Sequence, residues 1–302
     1  MTSNPPDPSN PPDPSSDVPD TEEQRAGILD GWEQASTGWG RRAQSVRDWG
    51  MPVSTWMIEQ LSLQPGHRLL ELAAGPGDTG FLAAELIAPG GTLISSDATE
   101  GMLEVARQRA GALDLSSVKL EFKQLQIEWI DLPTASVDAI VCRWAYMLTV
   151  DPAAGLREAR RVLVPSGRIA LAVWDGPEAN PWATIPTDAL IQGGYIEPID
   201  RSVSAGIFSL ADPQRLQGMI EEAGFVDVLV ESIDVTREYG RFDEFWDESL
   251  ELSPSLGVAL QRLTDEQRSD VRRRAESLAE PLTESDGAIR LPGVSLVASA
   301  SA

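Results

Sequence analysis

One stretch constrains this chain more than any other: Leu69-Leu70-Glu71-Leu72-Ala73-Ala74-Gly75-Pro76-Gly77-Asp78-Thr79-Gly80. An apolar run ends in an acid, and a glycine-rich turn then opens an amphipathic helix over about residues 78–87. Glycine has no Cβ and reaches positive φ freely, so such a turn brings backbone close to a ligand. The first turn of the helix points unpaired N–H groups and a positive dipole end the same way. Strand, tight turn and helix in that order make a unit of a parallel sheet, whose ligands sit at the carboxyl ends of the strands. The expected ligand is polar and partly anionic.

The flanking pattern repeats the unit. Strands are expected at 67–73, 92–96, 118–125, 137–143 and 167–174, with helices at 78–87, 100–110 and 152–163. Short apolar strands alternating with amphipathic helices predict an α/β, doubly wound, mostly parallel sheet. After Trp174 the alternation breaks. Residues 177–210 read as irregular. A helix follows at 212–223, with Asp212 as cap and Pro213 in its first turn, then a strand at 225–235. Polar helical blocks occupy 243–250 and 265–279, and 288–298 alternates as a last strand. The two late strands complete a seven-stranded sheet as an antiparallel pair at its edge. The intervening segments, about 177–210 and 240–283, are expected to meet as a helical cap on a core spanning 65–302.

Upstream, residues 1–20 hold seven of the 22 prolines among Asp, Ser and Asn, a composition that cannot offset its chain entropy and reads as a disordered tail. Residues 21–64 read as N-terminal helices, one starting at Thr21-Glu22-Glu23-Gln24 and a second over 53–61. Trp32, Trp39 and Trp49 on them pack against the sheet or form a lid over the ligand.

Lys and Arg number 24 against 47 Asp and Glu, a formal net charge of −23. That balance argues against nucleic acid, which requires a basic footprint, and against anionic membrane surfaces. One cysteine, Cys142, and one histidine, His67, leave no Cys/His metal site of ordinary spacing. With no secretory segment and no apolar run of membrane length, the expected setting is the cytoplasm and the expected partner a small molecule. A homodimer stays open as the assembly.

Gly75-x-Gly77-x-x-Gly80 spells the dinucleotide fingerprint, and Asp97 follows Gly77 by 20 residues, so NAD is permitted by spacing alone. The neighbours point elsewhere. The glycine segment resembles the first motif of class I S-adenosylmethionine-dependent methyltransferases, in particular the small-molecule type related to ubiquinone/menaquinone-biosynthesis enzymes. Ile94-Ser95-Ser96-Asp97-Ala98-Thr99-Glu100-Gly101-Met102-Leu103 resembles the family's second-strand segment, and Ser136–Arg143 its fourth strand. Leu156-Arg157-Glu158-Ala159-Arg160-Arg161-Val162-Leu163-Val164-Pro165-Ser166-Gly167-Arg168 resembles its passage into strand five. Asn180-Pro181-Trp182 and Glu222-Ala223-Gly224-Phe225 also fit. The resemblance runs from about Trp32 to the C-terminus and implies a Rossmann-like fold that binds S-adenosylmethionine.

Carried over residue by residue, it assigns Glu71 to the cofactor's ammonium, directly or through water. It assigns Ala73, Gly75 and Gly77 to the close backbone turn, and Asp97 to the ribose. Gln126 and Ile127 fall to the adenine, and Ala98, Met102 and Arg143 are counted with the cofactor-binding residues. Two departures stand out. Ala73 replaces a family glycine, and Gln126 stands where an acid accepts from the adenine amino group, a role that its amide oxygen or Glu128 can fill. Read without the resemblance, Asp97 equally caps the helix beginning near Glu100.

Methyl transfer is an in-line displacement that needs alignment and exclusion of water more than a conspicuous base. His67 falls at the amino end of strand one, away from the site. The segment after strand four offers Arg143 and Tyr146 as catalytic candidates: Arg143 to orient an anionic oxygen or to pair with an acid, Tyr146 to bond substrate or to pack beneath the cap. Trp174, Trp182 and Trp246 line a substrate cavity or belong to the core. The expected activity is methyl transfer from S-adenosylmethionine to oxygen or carbon of a natural-product or quinone-like acceptor. The rivals are a non-catalytic S-adenosylmethionine-binding protein and an NAD-dependent oxidoreductase, which has the glycine spacing but lacks a Tyr-x-x-x-Lys or histidine acid/base system.

Overall fold

The computed structural model describes residues 21–201 and 205–302; the tail expected over 1–20 lies outside them. In chain order the elements are α1 (Thr21–Gln60), β1 (Arg68–Glu71), α2 (Thr79–Ile87), β2 (Thr92–Asp97), α3 (Glu100–Ala110), β3 (Lys119–Gln124), β4 (Val137–Arg143), α4 (Pro152–Val162), β5 (Leu163–Trp174), α5 (Pro181–Gln192), α6 (Pro213–Glu222), β6 (Val226–Asp234), β7 (Arg237–Tyr239), α7 (Phe242–Leu252), α8 (Pro254–Gln261), α9 (Asp265–Ala279), β8 (Ile289–Leu291) and β9 (Val294–Ser301).

A seven-stranded sheet in the order β3-β2-β1-β4-β5-β9-β6 forms the core. The first five are parallel, with Leu70 level with Ile94 on one side and Ile140 on the other. β9 runs antiparallel to both β5 and β6. β1, β2, β4 and β5 are buried along most of their length because helices cover both faces of a parallel sheet, and Leu69, Leu70, Ile94, Ile140 and Leu171 are fully buried. The caps are chemical. Asp151 accepts from Ala154 N–H at the start of α4 (2.9 Å), and Asp212 accepts from Gln214 N–H at the start of α6 (2.8 Å), each with Pro at the first helical position. Thr264 and Gln267 close a reciprocal capping box on α9.

The structure departs from the sequence expectation at several places. The N-terminal segment is one continuous helix, not two, although Pro52 removes an interior N–H. Burial of Val53 and Met57 in the core of the sheet outweighs that loss. The segment read as irregular contains α5, whose Pro181 and Pro186 resemble breakers but occupy a helix. α8 was not expected either. The alternating run at 288–298 divides: β8 pairs with β7 in a separate two-stranded ribbon, and β9 lies inside the sheet, so β6 is the edge. The ribbon, α5, α7, α8 and α9 share a second apolar cluster that includes Leu190, Phe245, Trp246, Leu260, Val271 and Leu291.

Candidate active site

The glycine turn leaves β1 at the carboxyl end of the sheet. Gly77 has φ +72°, and a Cβ there would fall 2.4 Å from the Phe81 ring. The turn is held from outside. Arg109 of α3 donates to the Pro76 and Gly77 carbonyls (2.7 and 2.8 Å) and pairs with Asp78 (2.8 Å). Asp78 is buried and pairs also with Arg143 at the end of β4 (3.2 Å), which donates to Ser54 Oγ of α1 (2.9 Å). Asp78 is thus a two-arginine clamp fixing the turn to β4 and α3. Ala73, where the family has glycine, sits at φ +49°, a conformation that costs a residue with a Cβ about 1–2 kcal/mol.

Glu71 ends β1 with its carboxylate inside. Oε1 accepts from Gly80 N–H (2.7 Å) and Oε2 from Ser95 Oγ (3.3 Å). Burial pushes its pKa from 4.5 up to about 7, against the opposing pull of those donors and of Arg143. Asp97 ends β2. One oxygen accepts from Gly75 N–H (2.9 Å), the other from Thr99 N–H and Oγ1 (3.0 Å each). Burial again raises its pKa despite these bonds. So Asp97 does tie the start of α3 to β2, and it also braces the glycine turn. The first turn of α3 is capped from outside by Glu33 of α1, which accepts from Gly101 N–H (3.0 Å).

Above these groups lies a cavity of about 160 Å³ whose wall includes Glu71, Ala73, Gly75, Asp97, Ala98, Met102, Gln126, Ile127 and Arg143. Nine of the residues proposed from sequence therefore meet on one surface. Three others need correction. Gly77 is not on the wall; its glycine serves the tight turn against Phe81. Tyr146 does not face the site: it is fully buried in a short turn after β4, its hydroxyl directed at the Gly155 carbonyl (3.4 Å). Glu128 lines the wall but pairs with Arg25 of α1 (3.0 Å) and accepts from Asp151 N–H (2.8 Å), so it is committed elsewhere. His67 accepts from Gln64 N–H at the amino end of β1, far from the turn.

A second cavity of about 140 Å³ adjoins the first; Trp32, Trp39, Trp144 and Leu148 belong to both walls. Trp174 and Trp182 line it, whereas Trp246 packs on Phe242 inside the second apolar cluster. Trp144 holds the junction at φ +58°, an unusual conformation for a bulky residue. Its ring stacks on Trp174 (centroids 4.4 Å apart), and its Nε1 donates to Ser295 Oγ (3.0 Å). Sequence reasoning passed over Asp78, Arg109, Trp144, Arg237 and Glu248. For the first two the signal was a charged residue beside the glycine turn and an arginine on a helix next to it; the others come together only through the tertiary fold.

The first cavity has the chemistry of a site for a cationic nucleoside. It carries a buried acid, Glu71, with no ion-pair partner among the described residues, a second acid at the end of β2, and a flat apolar side of Met102, Leu125 and Ile127. A methyltransferase-domain family matches residues 63–224 of this chain. The chain is 31% identical over 179 residues to the demethylmenaquinone methyltransferase of Deinococcus radiodurans, covering 55% of this chain and 70% of that protein. It is 28% identical over 178 residues to the ubiquinone/menaquinone biosynthesis C-methyltransferase UbiE of Cellvibrio japonicus, covering 56% and 71%. Among solved structures, YcgJ from Bacillus subtilis superposes with a TM-score of 0.52 at 19% identity, covering 82% of this chain and 97% of that one. Phosphoethanolamine N-methyltransferase 2 of Haemonchus contortus, with S-adenosylhomocysteine bound, superposes at 0.54 and 14% identity, covering 90% and 60%. The chain belongs to the methyltransferase-domain family. It is an S-adenosylmethionine-dependent methyltransferase with a Rossmann-like fold. No described helix is long and apolar enough to cross a membrane.

Proposed function

We propose that the first cavity holds S-adenosylmethionine and the second its acceptor, a small molecule of natural-product or quinone-like type methylated on oxygen or carbon. The observation that carries this reading is the shared wall: the two cavities adjoin at Trp144 and Leu148, beneath Trp32 and Trp39 of α1. When bound, the cofactor supplies an electrophilic methyl group on a sulfonium. The chain's own residues bind, orient and exclude water. Glu71 takes the ammonium and Asp97 the ribose hydroxyls, with the oxygen that serves only Gly75 N–H keeping acceptor capacity. The Gln126 amide oxygen accepts from the adenine amino group, with Met102 and Ile127 against the ring. Arg143 holds the rim by way of Asp78. Tyr146 has no part, and no histidine or tyrosine lines either cavity among the described residues, so the acceptor is one whose nucleophile needs no strong base from the protein. Alignment alone lowers such barriers by roughly 7–11 kcal/mol in favourable cases. The names of the quinone-modifying relatives support the acceptor class, and the acidic charge balance supports a small-molecule acceptor in the cytoplasm over a nucleic acid.

The test is calorimetric titration of wild type and Asp97→Ala with S-adenosylhomocysteine. Loss of a charged hydrogen-bonding group is worth about 1.5–3 kcal/mol, roughly 10- to 100-fold in affinity. Unchanged affinity in a variant that melts like wild type would overturn the ribose assignment.

A further inference from the structure

The second cavity contains a cation for which the protein provides no counter-ion at contact. Arg237 of β7 is 5% exposed and lines that cavity. Its guanidinium lies against two indole rings, with Cζ 3.5 Å from the Trp182 centroid and 3.9 Å from that of Trp49, and Trp174 at 5.6 Å. Its Nε–H has no hydrogen-bond partner, and neither has the buried Nε1–H of Trp49 beside it. The Tyr239 hydroxyl lies beside the guanidinium as a neutral partner, and the acid acting on it is Glu248, on the same cavity wall, but that carboxylate is bound by Tyr239 Oη–H (2.8 Å) and Ser45 Oγ–H (2.5 Å), and it makes no ion pair with Arg237 among the described residues. Burial accordingly pulls the Arg237 guanidinium below its ordinary value.

Stacking on aromatic rings satisfies the faces of a guanidinium and leaves its N–H edge, the part that matches a carboxylate or similar planar anion. A buried charge without an ion-pair partner is costly, and the Arg237 Nε–H without an acceptor calls for a ligand that brings one. The remaining walls are mostly apolar, Trp144, Met147, Ile207 and Leu256 among them, with Thr187, Ser249 and Ser253 as polar exceptions. A volume of about 140 Å³ is close to that of an engineered apolar cavity of about 150 Å³ that takes up benzene, so the space suits one six-membered ring. Arg237 is absent from the wall that the two cavities share, which puts the anion at the end of the acceptor away from the cofactor site.

We propose that Arg237 is the specificity determinant of the acceptor site: it receives a planar anionic group, a carboxylate, borne on a small ring that lies among Trp144, Trp174 and Trp182. The proposal rests on the second cavity being the acceptor site. The probe is benzoate, with benzamide as its neutral counterpart, titrated calorimetrically at low salt into the protein with and without S-adenosylhomocysteine, alongside Arg237→Met. Benzoate is expected to bind wild type at least tenfold more tightly than benzamide, and Arg237→Met to abolish that preference while its affinity for S-adenosylhomocysteine stays within twofold of wild type. Equal affinities for benzoate and benzamide in wild type, no benzoate binding, or a preference that survives in Arg237→Met would each overturn the proposal. The wild-type comparison decides even where the variant does not fold. Failure of S-adenosylhomocysteine to bind would instead overturn the reading of the first cavity, and the benzoate comparison on the free protein remains decisive for Arg237.

Discussion

Replacing Glu71 by Gln separates the stability of this site from its purpose. Glu71 is fully buried and prefers its neutral form up to about pH 7, against an ordinary 4.5. Because the folded state holds this proton more tightly than the unfolded chain, the residue's contribution is most favourable below pH 4.5. It declines between 4.5 and 7 and is fully lost above 7. At 1.36 kcal/mol per tenfold change, a rise from 4.5 to about 7 amounts to about 3 kcal/mol. Gln copies the neutral acid: its oxygen can accept from Gly80 N–H, and its amide can donate to Ser95 Oγ, the two contacts that Glu71 makes. Urea denaturation of both proteins is therefore expected to show equal stability near pH 4.5 and an advantage for Glu71→Gln that grows to about 3 kcal/mol by pH 8. Taking the difference between the two proteins removes groups that titrate in both, Asp97 included. A ligand carrying an ammonium reverses the preference, since it favours ionised Glu71. S-adenosylhomocysteine should bind wild type more tightly as pH rises from 5.5 to 7.5, by at most tenfold per pH unit, with a proton released to buffer. Glu71→Gln should bind weakly at every pH with no such release. A stability difference that does not change with pH, or a Gln variant less stable at pH 8, would refute the burial argument; wild-type binding without proton release would refute the ammonium assignment.

Two further outcomes follow from the same geometry. Ala73→Gly relieves a positive φ of +49° worth about 1–2 kcal/mol but adds about 0.5–1 kcal/mol of chain entropy, so thermal melting should show a variant as stable as wild type or more so by about 1 kcal/mol; a clear loss would mean that the methyl group packs usefully. Arg25→Ala removes the partly buried ion pair that ties α1 to Glu128 beside the first cavity, at a cost on the order of 1 kcal/mol, and stopped-flow measurement should show faster release of S-adenosylhomocysteine with a fall of no more than a few degrees in melting temperature.

What the sequence reveals follows what is local. The glycine turn, Glu71 and Asp97 lie on consecutive strand ends, and parallel pairing forces strand ends together, so reading the order of strands suffices to gather them. β4 and α9 are placed to the residue for the same reason: apolar run and capping box are each contained in a few neighbours. Proline misleads at Pro52, Pro181 and Pro186, because a propensity of a few kcal/mol yields to a helix face that buries Val53 and Met57 or Ile185 and Leu190. Tyr146 misleads differently. Its chain position at the end of β4 is right, but a short turn after Trp144 points the ring inward to Gly155, and nothing in the local pattern sets that rotation. The second cavity was legible only in part: Trp174 and Trp182, candidates from sequence, do line it, but its tryptophans are gathered from α1, β5, α5 and the turn after β4, and its arginine comes from a three-residue strand with no period to read.

The two residues with a Cβ held at positive φ beside the first cavity, Ala73 and Trp144, stand on opposite sides of one problem. Each follows a strand end by one or two residues, where the parallel sheet must stop and chain must turn without closing the space above. At Ala73 the strain is small and the family's glycine would remove it. At Trp144 no small residue would do, because the strained backbone is what swings an indole into the wall between the two cavities, where Trp174 and Ser295 hold it. Backbone strain survives only where surrounding structure over-determines it, and here the stack and the hydrogen bond supply that surplus. Arg143 adds to it from the side of the first cavity, its Cζ 4.8 Å from the Trp144 ring centroid while its nitrogens hold Asp78 and Ser54. The clamp on the glycine turn and the partition between the cavities are therefore one connected structure, and a change that loosens Asp78 must also shift the wall between the two cavities.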